Sequence, residues 1–383
     1  MTDLERIKLL VESLRIKFED VKDNSFSNGY ELDKDKNVIR LILQSQDFTD
    51  INSIIEILRN FEYLTSLDLR FNKINDLTQI QTLQSLTSLD LDINQISDLT
   101  PLQSMQSLTF LDLGRNKITD LTPLQSLQGL NTLRLGANRI TDLTPLQSLQ
   151  NLTGLHLHFN QITDLAPLQS LQSLRSLNLG YNKITDPAPL QSLQNLTSLD
   201  LGYDKITDLT PLQSLQSLTK LFLDGNQITD LTPLQTLQSL TSLDLRENQI
   251  SDLTPLQSLQ NLTSLGLSSN KITDITPLQS LQNLTSLDLN SNKITDLAPL
   301  QSLQSLTTLD LRSNPIEELP EWITEFNMEI RYKNKWKKGY IIFYDNNLKI
   351  PSAEIVGYGK NAIKYYFEQI RKEKGKTEYL DES

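Results

Sequence analysis

The sequence predicts an α/β solenoid with a parallel β-sheet on its concave side and short 3₁₀ or helical turns on its convex side. Three observations lead to this fold class. The pattern Leu-x-x-Leu-x-Leu-x-x-Asn occurs twelve times at an interval of 22 residues, once with Asp in place of Asn, from Leu64 to Asn314. Apolar and polar residues alternate through each Leu-x-Leu, as a short strand requires. Ten of the 14 prolines occupy one slot of the repeat, from Pro101 to Pro299, and mark the turn between strands.

The N-terminal segment, residues 1–37, is predicted to form a helical cap. Thr2 and Glu5 fit a capping box, and apolar residues follow at helical spacing from Leu4 to Phe18. A cap is expected because the open end of a solenoid would expose leucine side chains. Docking of this apolar stripe on a partner helix is the alternative interpretation.

Residues 38–320 are predicted to form the solenoid, about 13 units when a degenerate first unit around Leu41 is included. In each unit the leucines face the interior. The asparagine, Asn94 in one unit, is expected to bond backbone groups where the chain leaves the strand. In the turn that follows, Thr100 is predicted to cap a short helical segment that begins at Pro101.

Residues 321–383 are predicted to form an α+β C-terminal cap with a hairpin and a helix. Two strand-like stretches, residues 329–336 and 339–344, form the predicted hairpin, and a helix is expected to begin near Ser352. The basic, aromatic run over residues 331–338 resembles a segment that contacts RNA or an acidic surface. We interpret it instead as a solvated hairpin edge that lysines protect from further pairing.

Composition and charge narrow the classes of partner. The net charge of −12 makes nucleic acid an improbable partner, because the phosphate backbone is bound by basic surfaces. The sequence has no cysteine, so neither a disulfide nor a thiolate metal site can form. It contains no leader-like N-terminus and no apolar run long enough to span a membrane. These features predict a cytoplasmic protein without a membrane partner.

The 22-residue unit, as at Asn116–Leu124, resembles the short leucine-rich repeats of internalins and of the regulatory subunit of protein phosphatase 1. This resemblance implies a curved leucine-rich repeat array that binds other proteins. A second segment, residues 347–367, resembles the bridge between the repeats and the GTPase module of bacterial Roco proteins. Gly375-Lys376-Thr377 lacks the earlier glycine of a phosphate-binding loop, since Ile370 stands there. No nucleotide-binding loop is therefore predicted.

Catalysis, metal binding and cofactor binding are not predicted. The two histidines, His156 and His158, are placed by the repeat on the exposed face of one strand. A zinc pair would need further ligands, and the same rows of the adjacent strands offer no third one. An open strand face also leaves reacting groups in water, which disfavours hydrolytic chemistry.

The predicted contact site lies in the middle units, where the repeat departs from its own consensus. Exposed aromatic residues from three consecutive units are expected to stack there, as interface anchors do. The predicted partner-binding residues are Arg134, His156, His158, Phe159, Asn178, Tyr181, Tyr203 and Phe222. On either side, the exposed strand row is acidic, with runs Asp68, Asp90, Asp112 and Asp288, Asp310, which favour a basic partner.

We therefore expect a non-enzymatic scaffold that binds a protein or peptide on its concave face. The alternative hypothesis is the regulatory repeat portion of a Roco-type GTPase, with its nucleotide-binding module outside this sequence. The oligomeric state is not predicted by any of these features.

Overall fold

A computed structural model describes residues 1–14, 19–20, 28–332 and 339–381. The chain divides into two compact units, residues 1–200 and 201–383. Within the described ranges, no helix combines the length and the apolar character that crossing a bilayer requires.

The first unit is built from parallel strands that recur with the repeat. Its helices are α1 (Asp3–Leu14) and α2 (Asn52–Leu58). Its strands are β1 (Glu19–Asp20), β2 (Gly29–Leu32), β3 (Val38–Ile42), β4 (Ser66–Asp68), β5 (Ser88–Asp90), β6 (Phe110–Asp112), β7 (Thr132–Arg134), β8 (Gly154–His156), β9 (Ser176–Asn178) and β10 (Ser198–Asp200). From β3 to β10 neighbouring strands pair in parallel with equivalent leucines opposite each other, such as Leu67 and Leu89.

The second unit repeats this construction and ends in helices. Its strands are β11 (Lys220–Phe222), β12 (Ser242–Asp244), β13 (Ser264–Gly266), β14 (Ser286–Asp288), β15 (Thr308–Asp310), β16 (Glu329–Arg331) and β17 (Tyr340–Ile342), and its helices are α3 (Ala353–Gly357) and α4 (Lys360–Asp381). Strands β11 to β15 are parallel and in register.

The connection after each strand from β4 to β15 carries a 3₁₀ helix, as predicted. In the first unit these are Ile80–Thr82, Thr100–Leu102, Thr122–Ser126, Thr144–Ser148, Ala166–Ser170 and Ala188–Ser192. In the second they are Thr210–Ser214, Thr232–Thr236, Thr254–Ser258, Thr276–Ser280, Ala298–Ser302 and Glu321–Thr324. The prediction that Thr100 is the cap is wrong. The Asp98 carboxylate accepts the Thr100 N–H at 2.9 Å, and hydrogen bonds from Thr100 lower the pKa of Asp98.

The interior consists of stacked leucine and isoleucine side chains, and the asparagine column fixes the backbone beside it. Leu89 and Leu91 are fully buried. Asn94 donates through Nδ2 to the carbonyls of Leu69 and Leu91, both at 3.0 Å, and its Oδ1 accepts the Ile74 N–H at 2.9 Å. The predicted structural role of the column is confirmed: its amides satisfy buried backbone groups that the short strands leave unpaired.

The N-terminal cap begins as predicted but is not helical throughout. The Thr2 N–H donates to Glu5 Oε2 at 2.7 Å and the Glu5 N–H to Thr2 Oγ1 at 3.3 Å, which is the predicted capping box. Strand β1 pairs in parallel with β2, so the cap predicted for residues 1–37 contains strands as well as a helix. Phe18, the last member of the predicted helical stripe, lies outside the described residues. Strand β2 pairs antiparallel with β3 and covers the first repeat.

The predicted C-terminal hairpin is wrong, because β16 and β17 are parallel, with Ile330 opposite Ile341. On its other edge β17 pairs in parallel with β15, which places Ile341 opposite Leu309. Asn346 then donates to the carbonyls of Leu311 and Phe343 at 2.9 and 2.8 Å, as the column asparagines do. Strand β17 is therefore one more repeat strand, and its parallel pairing is imposed by the repeats that precede it.

The helices of the C-terminal segment, α3 and α4, pack against β16. The expected helix begins directly after Ser352 and is divided at Gly359, whose φ of +88° separates α3 from α4. Most of the basic run, residues 333–338, lies outside the described residues. Both interpretations of that run therefore stay predictions.

Candidate functional site

The exposed strand face of the first unit presents the last residue of each repeat strand in one row. Parallel register places these side chains opposite one another, about 4.8 Å apart. In order they are Asp68, Asp90, Asp112, Arg134, His156, Asn178 and Asp200. The row is therefore acidic at first, changes at Arg134, His156 and Asn178, and is acidic again at Asp200, as the sequence predicted.

At the acidic end, an arginine from the same face offsets part of the charge. Arg70 binds Asp68 with two nitrogens, at 3.0 and 2.7 Å, and its Nε lies 3.2 Å from Asp90 Oδ2. Asp90 lies between Asp68 and Asp112 in the row. Burial, then the charge of Asp112, raise the pKa of Asp90 to about 7. Part of the acidic run is thus satisfied internally, which weakens the argument for a basic partner.

Next to this end, an open pocket of about 640 Å³ contains four of the predicted site residues. Its lining residues are Asp92, Asp112, Gly114, Arg115, Arg134, Gly136, Ala137, His156, His158 and Phe159. Gly136 provides the space for His158, because a β-carbon at Gly136 would overlap the imidazole ring. The pocket exists because two successive repeats carry glycine on this face, at Gly114 and Gly136.

The charged groups of the pocket are paired unequally. Arg115 binds Asp92 with Nε and Nη2, at 3.0 and 2.5 Å. Arg134 makes a single, longer contact, from Nη1 to Asp112 Oδ2 at 3.3 Å, and its guanidinium carbon lies 5.2 Å from the Phe110 ring centre. The Arg134 side chain is 47% exposed. Most of its hydrogen-bonding capacity therefore faces the pocket and solvent.

The two histidines favour their neutral forms. Burial, then the charge of Arg134, lower the pKa of His156. Burial also lowers the pKa of His158, with Asp200 acting in the opposite direction. The Nδ1 atom of His158 is buried and has no hydrogen-bond partner within the part of the chain that the structure describes.

Beside the pocket, two exposed aromatic rings stack. The Phe159 and Tyr181 ring centres are 4.1 Å apart with an interplanar angle of 12°, and the His158 ring meets Phe159 edge-on at 5.8 Å. Phe159 is 51% exposed and Tyr181 is 43% exposed. The predicted stack is therefore observed for these two residues. The remaining strand residue, Asn178, is half-buried and its Oδ1 accepts the Gly180 N–H at 3.1 Å.

The other two predicted residues belong to the second unit. Tyr203 lies over Gly225, where a β-carbon would overlap its ring, and its hydroxyl contacts Glu247 Oε1 at 3.0 Å. Phe222 is half-buried at the end of β11, opposite Asp244. Six of the eight predicted residues thus lie in the first unit, where the pocket and the aromatic pair are found.

Phe159 and Tyr181 occupy the same position of the repeat, and the backbone at this position is left-handed, with positive φ, in each repeat. We call this set of residues the left-handed column. In the first unit its members have φ between +51° and +59°: Phe71, Ile93, Arg115, Ala137, Phe159 and Tyr181. This conformation is uncommon for residues with a β-carbon. Hydrogen bonds hold it, such as the one from the Phe159 N–H to the Gly180 carbonyl at 2.9 Å. The column therefore displays large side chains on a fixed backbone.

The sequence prediction missed Asp92, Gly114 and Gly136 as parts of the pocket, together with Arg115, and placed Asp112 only in the flanking acidic run. The motif Asp-Leu-Arg, at Asp68, Asp244 and Asp310, could have indicated other arginine pairs, since each of its arginines binds the aspartate two positions earlier. Side chains two apart on a strand share a face. The motif gives no signal for Arg115 or Arg134, whose aspartates lie in the preceding repeat.

Metal chemistry has no support in the described ranges, where no group of three or more His, Asp or Glu side chains is arranged to hold an ion. The stacked aromatic pair and the adjoining pocket are therefore the candidate site.

Comparison with known proteins identifies the repeats. The family model described as leucine-rich repeats in two copies matches residues 106–148, 150–192, 172–214, 194–236, 216–258, 238–280, 260–302 and 282–324, and a single-repeat model matches residues 62–77. Among proteins with curated descriptions, none matches this chain.

Solved structures agree with this assignment. An internalin from Listeria monocytogenes is 36% identical with a TM-score of 0.69, over 73% of this chain and 82% of its own. A leucine-rich repeat protein from Leptospira interrogans is 33% identical with a TM-score of 0.64, over 68% of this chain and 70% of its own. A TDR receptor is 25% identical with a TM-score of 0.67, over 81% of this chain and 56% of its own. With the family model covering more than half of the sequence, the chain belongs to the leucine-rich repeat proteins.

Proposed function

We propose that this chain is a non-enzymatic interaction protein that binds a protein or peptide on the strand face of its first unit. Leucine-rich repeat proteins generally mediate protein–protein interactions, which supports binding as the class of function. The contact site in this proposal is the stacked pair Phe159 and Tyr181 together with the pocket beside it.

The single observation that carries the proposal is the exposure of this aromatic pair. Two large rings that remain about half exposed are costly in water and are typical of interface anchors. Their mutual stacking at 4.1 Å and their fixed left-handed backbone orient both rings before a partner arrives. Binding would therefore cost little side-chain entropy.

Affinity capture with the double variant Phe159→Ala/Tyr181→Ala tests the proposal. The tagged chain is used to retain partners from the cell that expresses it, and each retained protein is quantified against the unaltered chain. We expect the specific partner to fall by at least about tenfold, since each anchor truncation costs about 1–2 kcal/mol. Circular dichroism checks that the variant is folded.

Phe71→Ala is the matched control, because Phe71 occupies the same left-handed column and is also 43% exposed. Its loss should leave capture unchanged, since it lies four repeats before Phe159. Equal capture by the double variant, or equal loss in the control, would show that the aromatic pair is not the contact site.

A further inference from the structure

In the pocket beside Phe159, the acceptor groups already receive hydrogen bonds, whereas most of the donor groups are unused. Both oxygens of Asp92 accept hydrogen bonds from Arg115. In Asp112, Oδ1 accepts the Gly114 N–H at 3.0 Å, and Oδ2 accepts the single contact from Arg134. Each carboxylate oxygen in the pocket therefore already accepts a hydrogen bond.

The hydrogen-bond donors of the pocket, in contrast, are mostly unused. Arg134 has five N–H donors and uses one of them, at 3.3 Å, in the hydrogen bonds of the described residues. The imidazoles of His156 and His158 also line the pocket, and neither donates a side-chain hydrogen bond within that described part. The unused hydrogen-bonding groups of the pocket are therefore donors. A carboxylate could accept hydrogen bonds from such donors with both of its oxygens.

We propose that this pocket binds the carboxylate of a partner's glutamate or aspartate side chain, with a neighbouring apolar side chain of the partner on the Phe159–Tyr181 stack. The inference rests on the proposed function and specifies its partner as an acidic and apolar segment. It replaces the basic partner expected from the acidic row, because the carboxylates nearest the pocket already accept hydrogen bonds, those of Asp92 from Arg115. The net charge of −12 opposes such a partner at long range, but salt screens that repulsion beyond about 8 Å.

The chain offers a direct spectroscopic test, because both of its histidines line the pocket. The full chain is labelled with ¹³C-histidine and titrated with three probes: acetyl-Phe-Glu-amide, acetyl-Phe-Gln-amide and acetyl-Phe-Lys-amide. We expect the glutamate probe to shift the two imidazole Cε1 signals with a Kd about tenfold lower than the glutamine probe, as for one charge-assisted hydrogen-bonded pair. The lysine probe should bind most weakly.

Variants then identify the group that is responsible. Arg134→Gln should abolish the preference for the glutamate probe, and Arg134→Lys should retain part of it, since lysine keeps the charge but not the bidentate geometry. Arg246→Gln is the matched control: Arg246 is also 47% exposed and paired with an aspartate, but it lies in the second unit. It should leave the preference unchanged.

Several outcomes would overturn the inference: equal affinity for the glutamate and glutamine probes, tighter binding of the lysine probe, histidine signals that no probe moves, or an unaltered preference in Arg134→Gln. Failure of the inference can be distinguished from failure of the proposed function. If Phe159→Ala/Tyr181→Ala abolishes capture of the cellular partner and Arg134→Gln does not, the binding face stands and the carboxylate assignment is wrong.

Discussion

The Asp90→Asn substitution should stabilise the protein at alkaline pH and have little effect at acidic pH. Asp90 has acidic neighbours on both sides in the row, and Arg70 is shared with Asp68. Its side chain is only 18% exposed, so water screens the carboxylate poorly. An amide of the same shape removes the buried charge and keeps the packing.

The magnitude follows from the pKa of Asp90, which rises from 3.8 to about 7 on folding. Because the folded chain binds this proton more tightly, its contribution to stability is fully present below pH 3.8. That contribution declines as the pH rises and is lost by about pH 7, where the penalty on the ionised form corresponds to about 4 kcal/mol. Since local relaxation reduces such penalties, we expect a gain of about 2–4 kcal/mol for Asp90→Asn at pH 8.

Urea denaturation followed by circular dichroism at pH 4, 5, 6, 7 and 8 measures this effect. The difference in midpoint between the variant and the unaltered chain should grow steadily from pH 4 to pH 7 and then level off. Asp244→Asn is the matched control. Asp244 is 14% exposed, lies between Phe222 and Gly266, and is bound by Arg246, so its replacement should destabilise at every pH. A gain in Asp90→Asn that is absent at pH 8, or equal at pH 5 and pH 8, would refute the reasoning.

Two further substitutions test the repeat backbone. Asp204→Asn should raise the free energy of unfolding by about 1 kcal/mol, measured in urea, because Asp204 is 6% exposed in the asparagine column and a carboxylate cannot donate as the column amides do. The reverse change Asn248→Asp, which removes donation to the Leu223 carbonyl at 2.9 Å, should lower it, and a fall in both variants would contradict this account. Ile93→Asn should stabilise by about 0.5–1 kcal/mol, because a β-branched residue at φ +54° is strained and asparagine tolerates that conformation. If the Ile93→Asn variant has an unchanged or lower midpoint in thermal and urea unfolding, the backbone at Ile93 is not strained.

The repeat pattern predicted the solenoid well, because each of its positions has one physical role. Leucine spacing set the strand register, and Asn94 bonds the backbone as the pattern required. The position of Thr100 was misjudged because two capping residues compete there. The Asp98 carboxylate reaches the Thr100 N–H and leaves threonine as the first residue of the 3₁₀ helix.

The last repeat strand was missed because its spacing differs from that of the array. Ile341, Phe343 and Asn346 fit the Leu-x-Leu-x-x-Asn pattern, but Asn346 follows Asn314 by 32 residues, whereas the array interval is 22. A hairpin was predicted from sequence proximity alone. The resemblance of residues 347–367 to the Roco bridge stays a prediction. In the structure this stretch is joined to the repeats by the Leu319 N–H, which donates to the Ile350 carbonyl at 2.8 Å.

The candidate site was predicted in part. Aromatic departures from the consensus located Phe159 and Tyr181, because position in the repeat determines exposure. The pairing of the charged groups could not be obtained that way, since Arg115 and Arg134 both lie near aspartates and only distances show that one is bound tightly and the other loosely. The pocket also depends on Gly136, because a β-carbon there would overlap the His158 ring. This requirement follows from the coordinates and not from the sequence pattern.

The left-handed column lets the side chain vary while the backbone geometry of the coil stays the same. Its members include Phe, Ile, Arg, Ala, Tyr, Gly, Glu, Ser and Asp, yet φ stays between +50° and +67°. Backbone hydrogen bonds to the following repeat hold that geometry for residues as different as Ile93, Arg115 and Gly225. A codon change every 22 positions can therefore alter what the protein recognises while the scaffold stays intact. Randomising only these codons would give a compact library for selecting new binding specificities.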